Sequence, residues 1–189
     1  MALLSIQIPD EVARAIGVAG RGVPGSPEPR SSYHVTLLYL GSEVPIETVS
    51  KALVTAYQVA EKTKPIPLMV EEVSSFPKGE DGVPIICLVQ SPELHQLWDS
   101  LCLAFDKAKV PYSKNFPIYK PHITLSYAEK PMKENIPIGP FDWVSYEMVL
   151  WSGDSGDDKV SITIPFSFPS KEAMYRKLVQ AHIRFGSSL

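Results

Sequence analysis

The sequence predicts an α+β fold built by internal duplication, and three observations carry that reading. The order strand, helix, His-bearing strand occurs within the first forty residues and recurs between Val83 and Ala128. Two hexapeptides nearly repeat: His34-Val35-Thr36-Leu37-Leu38-Tyr39 and His122-Ile123-Thr124-Leu125-Ser126-Tyr127. The composition, 44% hydrophobic and 21% charged over 189 residues, is that of a globular chain able to bury one core, or two small lobes sharing one.

Element by element, Ala2–Ile8 reads as a strand with Leu4, Ile6 and Ile8 on one face. Asp10 is placed to cap a helix running to about Ala19, with Val12, Ala15, Ile16 and Ala19 at helical spacing. Gly20–Ser32, rich in Gly, Pro and Ser, reads as a loop, and Tyr33–Leu40 as a strand ended by Gly41. An amphipathic helix follows, with Ile46, Val49, Leu53, Ala56 and Ala60 on its buried side. Strands at Ile66–Ser74 and Val83–Gln90 flank the turn chemistry of Pro77–Gly82. Ser91-Pro92 supplies a capping hydroxyl and a first-turn proline to a helix whose stripe is Leu94, Leu97, Trp98, Leu101, Phe105 and Ala108. After the loop Pro111–Tyr119 come strands at Lys120–Ala128, Phe141–Trp151 and Lys159–Phe168, the last two joined across Gly153–Asp158. A polar helix, Lys171–Ile183, closes the chain. The expected division is one bilobal domain, 1–168, and a helical extension, 169–189.

Charge and cysteine content narrow the function classes. With 18 basic against 21 acidic side chains the net charge is −3, which argues against coating long duplex DNA or RNA and leaves room for a small anionic ligand. Cys87 and Cys102 sit in apolar or helical contexts and read as small buried hydrophobes, not as a secreted framework. The first residues lack a basic n-region, and their apolar stretch stops at Pro9-Asp10-Glu11, so neither a signal peptide nor a membrane span is expected. A monomer in a reducing cytoplasm is expected, the host's if the chain is phage-encoded.

The repeated hexapeptides carry the chemistry. Alternation along a strand projects His34 and Thr36 together while Val35 and Leu37 bury behind them, and His122 and Thr124 behave alike. If the duplicated units pack about a pseudo-twofold axis, the two pairs face each other across one cleft. Phosphodiester cleavage needs one group to take a proton from the attacking oxygen and another to give one to the leaving oxygen. Imidazole does either near neutral pH, and threonine hydroxyls can donate to non-bridging phosphate oxygens. A single His-x-Thr is weak evidence, since ordinary strands contain such triplets; two copies in matching contexts are strong. No metal or cofactor is required: the sequence has neither a phosphate-cradling glycine loop nor zinc-ligand spacing.

Paired His-x-Thr strands on a duplicated α+β unit resemble the two-histidine phosphoesterase superfamily, and within it the LigT-like "2′-5′ RNA ligase" branch of bacteria and phages. Phe116-Pro117-Ile118-Tyr119-Lys120-Pro121-His122-Ile123-Thr124-Leu125 resembles that branch's second motif, and Ile8-Pro9 with His34–Gly41 resembles its start. The resemblance covers about residues 1–168. It implies a bilobal fold of two mostly antiparallel four-stranded sheets facing a central groove, with helices on the outer faces. It further implies His34 and His122 as acid and base, and Thr36 and Thr124 as phosphate ligands. Members act on 2′,3′-cyclic phosphates, 2′-5′ linkages, ADP-ribose cyclic phosphates or cyclic oligonucleotide signals.

Around these four residues the alternatives stay open. Lys120, two before His122, shares its face and either helps hold phosphate or is a solvated strand-end lysine. Tyr33, Phe116, Tyr119 and Trp151 either stack on a base or pack in the core. Glu147, taken as sharing a face with Trp143, Ser145 and Trp151, either reads a base edge or faces solvent. His95 and His182 read as surface residues, and Asp154, Asp157 and Asp158 as a hairpin turn. The expected activity is metal-independent hydrolysis of a small or cyclic nucleotide, or of an RNA end. The biological role is either nucleotide housekeeping or phage destruction of cyclic nucleotide immune signals. The competing classes are a nucleotide-sequestering module, an RNA-processing 2′-5′ ligase or cyclic phosphodiesterase, and an assembly protein docking through its last helix.

Overall fold

Several strands alternate buried residues with half-buried or exposed ones, and each long helix buries one stripe, so the apolar faces of sheets and helices pack on each other. The computed structural model describes residues 1–115, 118–153 and 160–167. Among them are β1 (Ala2–Gln7), α1 (Asp10–Ala19), β2 (Ser26–Pro27), β3 (His34–Gly41), α2 (Ile46–Ala60), β4 (Ile66–Ser75) and β5 (Val83–Gln90). Then follow α3 (Pro92–Ala108), β6 (His122–Ala128), β7 (Ile136–Ser145), β8 (Glu147–Ser152) and β9 (Val160–Pro165).

The strands sort into two sheets, β3-β1-β8-β9 and β2-β6-β5-β4-β7, with every pairing antiparallel. The second sheet thus has five strands where four were expected. The addition is β2, two residues of the loop Gly20–Ser32 laid beside β6, with Ser26 opposite Tyr127 and Pro27 opposite Ser126. Gly25 permits this approach: its φ is +97°, and a Cβ there would fall 2.2 Å from the Tyr127 carbonyl oxygen. The same loop also holds a short 3₁₀ turn, Arg30–Ser32.

The single strand expected over Phe141–Trp151 is two. β7 pairs with β4, and β8, starting just past Tyr146, pairs with β1 in the other sheet. Both pieces are β-prone and follow each other without Gly or Pro between them, so nothing in the composition marks the change of sheet. Helix α1 starts after Pro9, which offers no side-chain cap, so Asp10 is the first helical residue and favours the helix only by its charge. Ser91 does cap α3, its hydroxyl accepting from the Leu94 amide at 3.0 Å. In α2, Val49, Leu53, Ala56 and Ala60 are buried as expected, whereas Ile46 in its first turn is exposed. The expected closing helix, the turn Asp154–Asp158 and Phe116 lie outside the described residues. None of the described helices is long and apolar enough to cross a membrane.

Two exchanges tie the sheets together. The loop before β3 crosses to β6: besides the β2 pairing, the Glu28 amide donates to the Leu125 carbonyl at 2.8 Å, and the Ser126 hydroxyl to the Pro24 carbonyl at 2.7 Å. The loop before β6 crosses to β3, where the Ser113 amide donates to the Tyr39 carbonyl at 2.7 Å. Helix α1 follows the same rule, leaving β1 of one sheet to meet β7 of the other and bringing Gly20 against Leu125 of β6.

Candidate active site

The two His strands come together where the sheets meet, β3 and β6 approaching within 8 Å between Cα atoms. Each pairs with the strand that opens its own repeat, and the two registers match. Gln7 lies opposite His34 and Ser5 opposite Thr36; Leu88 lies opposite His122 and Ile86 opposite Thr124. Within each strand Val35, Leu37, Ile123 and Leu125 are buried, while His34, Thr36, His122 and Thr124 are half-buried on the alternate face. The alternation of the hexapeptides therefore separates core from groove as the sequence requires.

Both imidazoles are held in the same way. His34 Nδ1 lies 2.7 Å from the Ser32 carbonyl oxygen, and His122 Nδ1 lies 2.8 Å from that of Lys120. A carbonyl only accepts, so Nδ1 in each ring carries the proton, and in the neutral form Nε2 holds the free lone pair. Among the described residues no group takes up either Nε2 or either threonine hydroxyl. The arrangement presents two imidazole nitrogens and two hydroxyls, each able to meet an oxygen of a ligand.

Burial pushes His122 below the ordinary imidazole range; the hydrogen bond to the Lys120 carbonyl opposes this, and His34 adds to the lowering. That electrostatic contact also records that the two rings share one locality. Phe76, at the end of β4, lies edge-on to His122 with ring centroids 4.7 Å apart.

The remaining sequence candidates divide. Trp151 is in register with Leu3 on β1, and its Nε1 donates to the Ser5 hydroxyl at 3.0 Å, which places it beside the His34 half. Lys120 is exposed and precedes β6 rather than extending it; its carbonyl, not its ammonium, touches His122. Tyr33 is buried, 7% exposed, and lines a separate cavity of about 260 Å³ with Gly20, Val23, Pro27 and Leu125, so it does not stand in the groove. Tyr119 is committed elsewhere: its hydroxyl donates to the Thr36 carbonyl at 3.0 Å, and its ring stacks on Trp98 at 5.1 Å. Glu147 opens β8 opposite Pro165, beyond the reach of β1, and is exposed; Trp143 and Ser145, expected on its face, belong to the other sheet. His95 is exposed as expected, Cys87 is buried with its thiol pushed up to about 12, and Cys102 is half-buried.

Sequence reading passed over Gln7, Ser5 and Phe76. Gln7 Nε2 donates to the Ser5 hydroxyl at 3.2 Å, forming with Trp151 a polar shelf beside His34. The signal for the first two was present: with Leu4 and Ile6 facing the core, alternation sends Ser5 and Gln7 to the other face. Phe76 gave none, since only the tertiary fold brings it to His122. Among the described residues no cluster of three or more His, Cys, Asp or Glu side chains is arranged to hold a metal ion.

Comparison with known proteins agrees with this architecture. Over most of its length the chain is similar to TT0787 of Thermus thermophilus, at a TM-score of 0.70 and 20% identity, covering 89% of this chain and 99% of that one. It is also similar to a structure described as a phosphoesterase, at a TM-score of 0.67 and 20% identity, covering 86% and 94%. E. coli LigT complexed with 3′-AMP matches at a TM-score of 0.66 and 22% identity, covering 86% and 93%; LigT structures complexed with NADP+ and with ATP match similarly. No curated protein matches by sequence. The family model of the 2′-5′ RNA ligase superfamily matches residues 9–136, a span containing both His-x-Thr strands. The chain, with its two matched motifs and its paired antiparallel sheets, belongs to the 2′-5′ RNA ligase superfamily.

Proposed function

We propose that the protein is a metal-independent phosphodiesterase of small nucleotides, with His34 and His122 as the acid–base pair and Thr36 and Thr124 as phosphate donors. The observation that carries this reading is the symmetric anchoring of the two rings, each tied through Nδ1 to the carbonyl two residues before it. That bond fixes the tautomer and aims Nε2, the nitrogen that exchanges a proton with substrate. A neutral Nε2 takes the proton of the attacking water or hydroxyl. A protonated Nε2–H on the other ring gives its proton to the leaving oxygen. The threonine hydroxyls donate to the non-bridging oxygens, whose charge grows in the transition state. Burial favours the neutral form of His122, so His122 is assigned as base and His34 as acid.

The ligand class rests on size and charge. The chain carries a net −3, which suits local donors around one phosphate better than a long polyanion. Nucleotides named in the LigT structures, 3′-AMP, NADP+ and ATP, are of the same small class. Within it, 2′,3′-cyclic phosphates, 2′-5′ linkages and cyclic oligonucleotides are the diesters proposed, the last giving a role in removing cyclic nucleotide immune signals. The chain is taken to act as a monomer in the cytoplasm.

The test is a panel of 2′,3′-cyclic mononucleotides, cyclic di- and trinucleotides and 2′-5′ oligoadenylate, each with and without EDTA. Turnover of at least one diester, unchanged by EDTA and lowered roughly 10²–10⁴-fold in His34→Ala, is expected. Binding without turnover across the panel would identify a sequestering module instead. Loss on chelation, restored by Zn²⁺ or Mn²⁺, would overturn metal independence.

A further inference from the structure

β3 is the outermost strand of its sheet, so its free edge carries backbone groups with no strand partner. The segment between α3 and β6 covers that edge. Its Ser113 amide takes the Tyr39 carbonyl at 2.7 Å, and its Tyr119 hydroxyl takes the Thr36 carbonyl at 3.0 Å. The Tyr119 ring is braced from behind by Trp98 of α3, parallel within 3° at 5.1 Å, and by His95, edge-on at 5.4 Å. One residue further on, the Lys120 carbonyl holds His122 Nδ1 at 2.8 Å. Four consecutive residues, Tyr119 to His122, thus grip the first motif with a side chain and orient the second with a carbonyl.

We propose that Tyr119 is a positioning residue whose hydroxyl sets the strand bearing His34 and Thr36 against the segment bearing His122. This rests on the reading that the two histidines act together on one phosphodiester. Two groups working on opposite sides of one phosphorus tolerate little relative displacement, and a shift near 1 Å can cost about 100-fold in rate. The other junction is held mainly by main chain, β2 against β6 and the Glu28 amide on the Leu125 carbonyl, with the Ser126 hydroxyl on the Pro24 carbonyl beside them. From this segment, the bond to the His-x-Thr triplet itself is the Tyr119 hydroxyl on the Thr36 carbonyl, with the Ser113 amide on Tyr39 three residues further along. The Tyr119 hydroxyl is a donor and not an acid: its proton is committed to a carbonyl, and burial pushes the phenol far above its usual range.

Tyr119→Phe keeps the ring and its stack and removes only the donor. With 2′,3′-cyclic AMP as the first probe, or whichever diester of the panel is cleaved, kcat should fall about tenfold while KM stays within about twofold. The pH profile should keep its shape. In a His34→Ala background, where the positioned ring is already gone, the same substitution should change the residual rate less than about twofold. Trp98→Phe, which weakens the brace and leaves the hydroxyl, should give a smaller loss, again in kcat. An unchanged kcat in Tyr119→Phe, with His34→Ala inactive, would reduce Tyr119 to packing and leave the two-histidine reading intact. Equal fold-losses in both backgrounds, or a loss confined to KM, would also overturn the proposal. A fully active His34→Ala would remove the two-histidine reading as well.

Discussion

The half-site around His34 and the half-site around His122 use the same anchoring carbonyl, two residues back, and the same cross-strand register. Their surroundings differ. Opposite His34 and Thr36 stand Gln7 and Ser5, joined to each other and to Trp151 by hydrogen bonds. Opposite His122 and Thr124 stand Leu88 and Ile86, and the edge of Phe76 closes on the ring. What is shared is what the proposed proton-transfer pair requires; what differs makes the two ends of the groove unlike. On the His34 side the half-buried Gln7 and Trp151 offer polar groups, and on the His122 side the half-buried Leu88 and Phe76 offer hydrocarbon, while Ser5 and Ile86 are fully buried. On the apolar side, burial lowers the pKa of His122.

Removing either ring tests the shared part and should have the largest effect. His34→Ala and His122→Ala should each lower turnover by roughly 10²–10⁴-fold with the far-UV circular dichroism unchanged. Near-normal turnover in either variant would mean that the pair does not act as a pair.

The threonines come next. Thr36→Val and Thr124→Val keep the β-branched shape and delete one donor to a charged oxygen, so kcat/KM should drop roughly 10- to 100-fold. Affinity for a product mononucleotide, measured by calorimetry, should weaken in both. Unaltered affinity in both would reduce the hydroxyls to strand-forming side chains.

The smallest effect sharpens the contrast between the halves. A group whose charged form is disfavoured gives up its proton at lower pH, so neutral His122 should persist below the ordinary imidazole value of ~6.5. The acidic limb of kcat/KM should therefore fall below ~6.5, and His122→Ala should lose that limb in whatever activity remains. An acidic limb at or above ~6.5 that survives in His122→Ala would assign the base elsewhere.

The parts of the molecule that were legible in the sequence were those governed by local periodicity. The His-x-Thr strands, the Ser91 cap and the stripe of α3 follow from spacing alone, because side-chain direction on a strand or helix is set within a few residues. The fifth strand was hidden because Ser26-Pro27 has no strand composition; Gly25 and the facing edge of β6 make it one. The break at Tyr146 was hidden because β-prone residues continue through it and do not say which sheet they enter. The sequence leaves Tyr119 between base stacking and core packing because its hydroxyl's partner, Thr36, is 83 positions away.

The routing of the strands has a consequence for how the polypeptide comes apart. A single cut in the turn Pro77–Gly82 would leave an N-terminal fragment with β1 and β3 of one sheet and β2 and β4 of the other. The C-terminal fragment would hold β5, β6 and β7 with β8 and β9, again strands of both sheets. Neither piece contains a complete sheet, and each leaves unpaired edges that its complement normally occupies. Symmetry in the site therefore does not make the halves separable modules. Nicked at that turn, the two pieces would have to stay associated to keep either histidine in place.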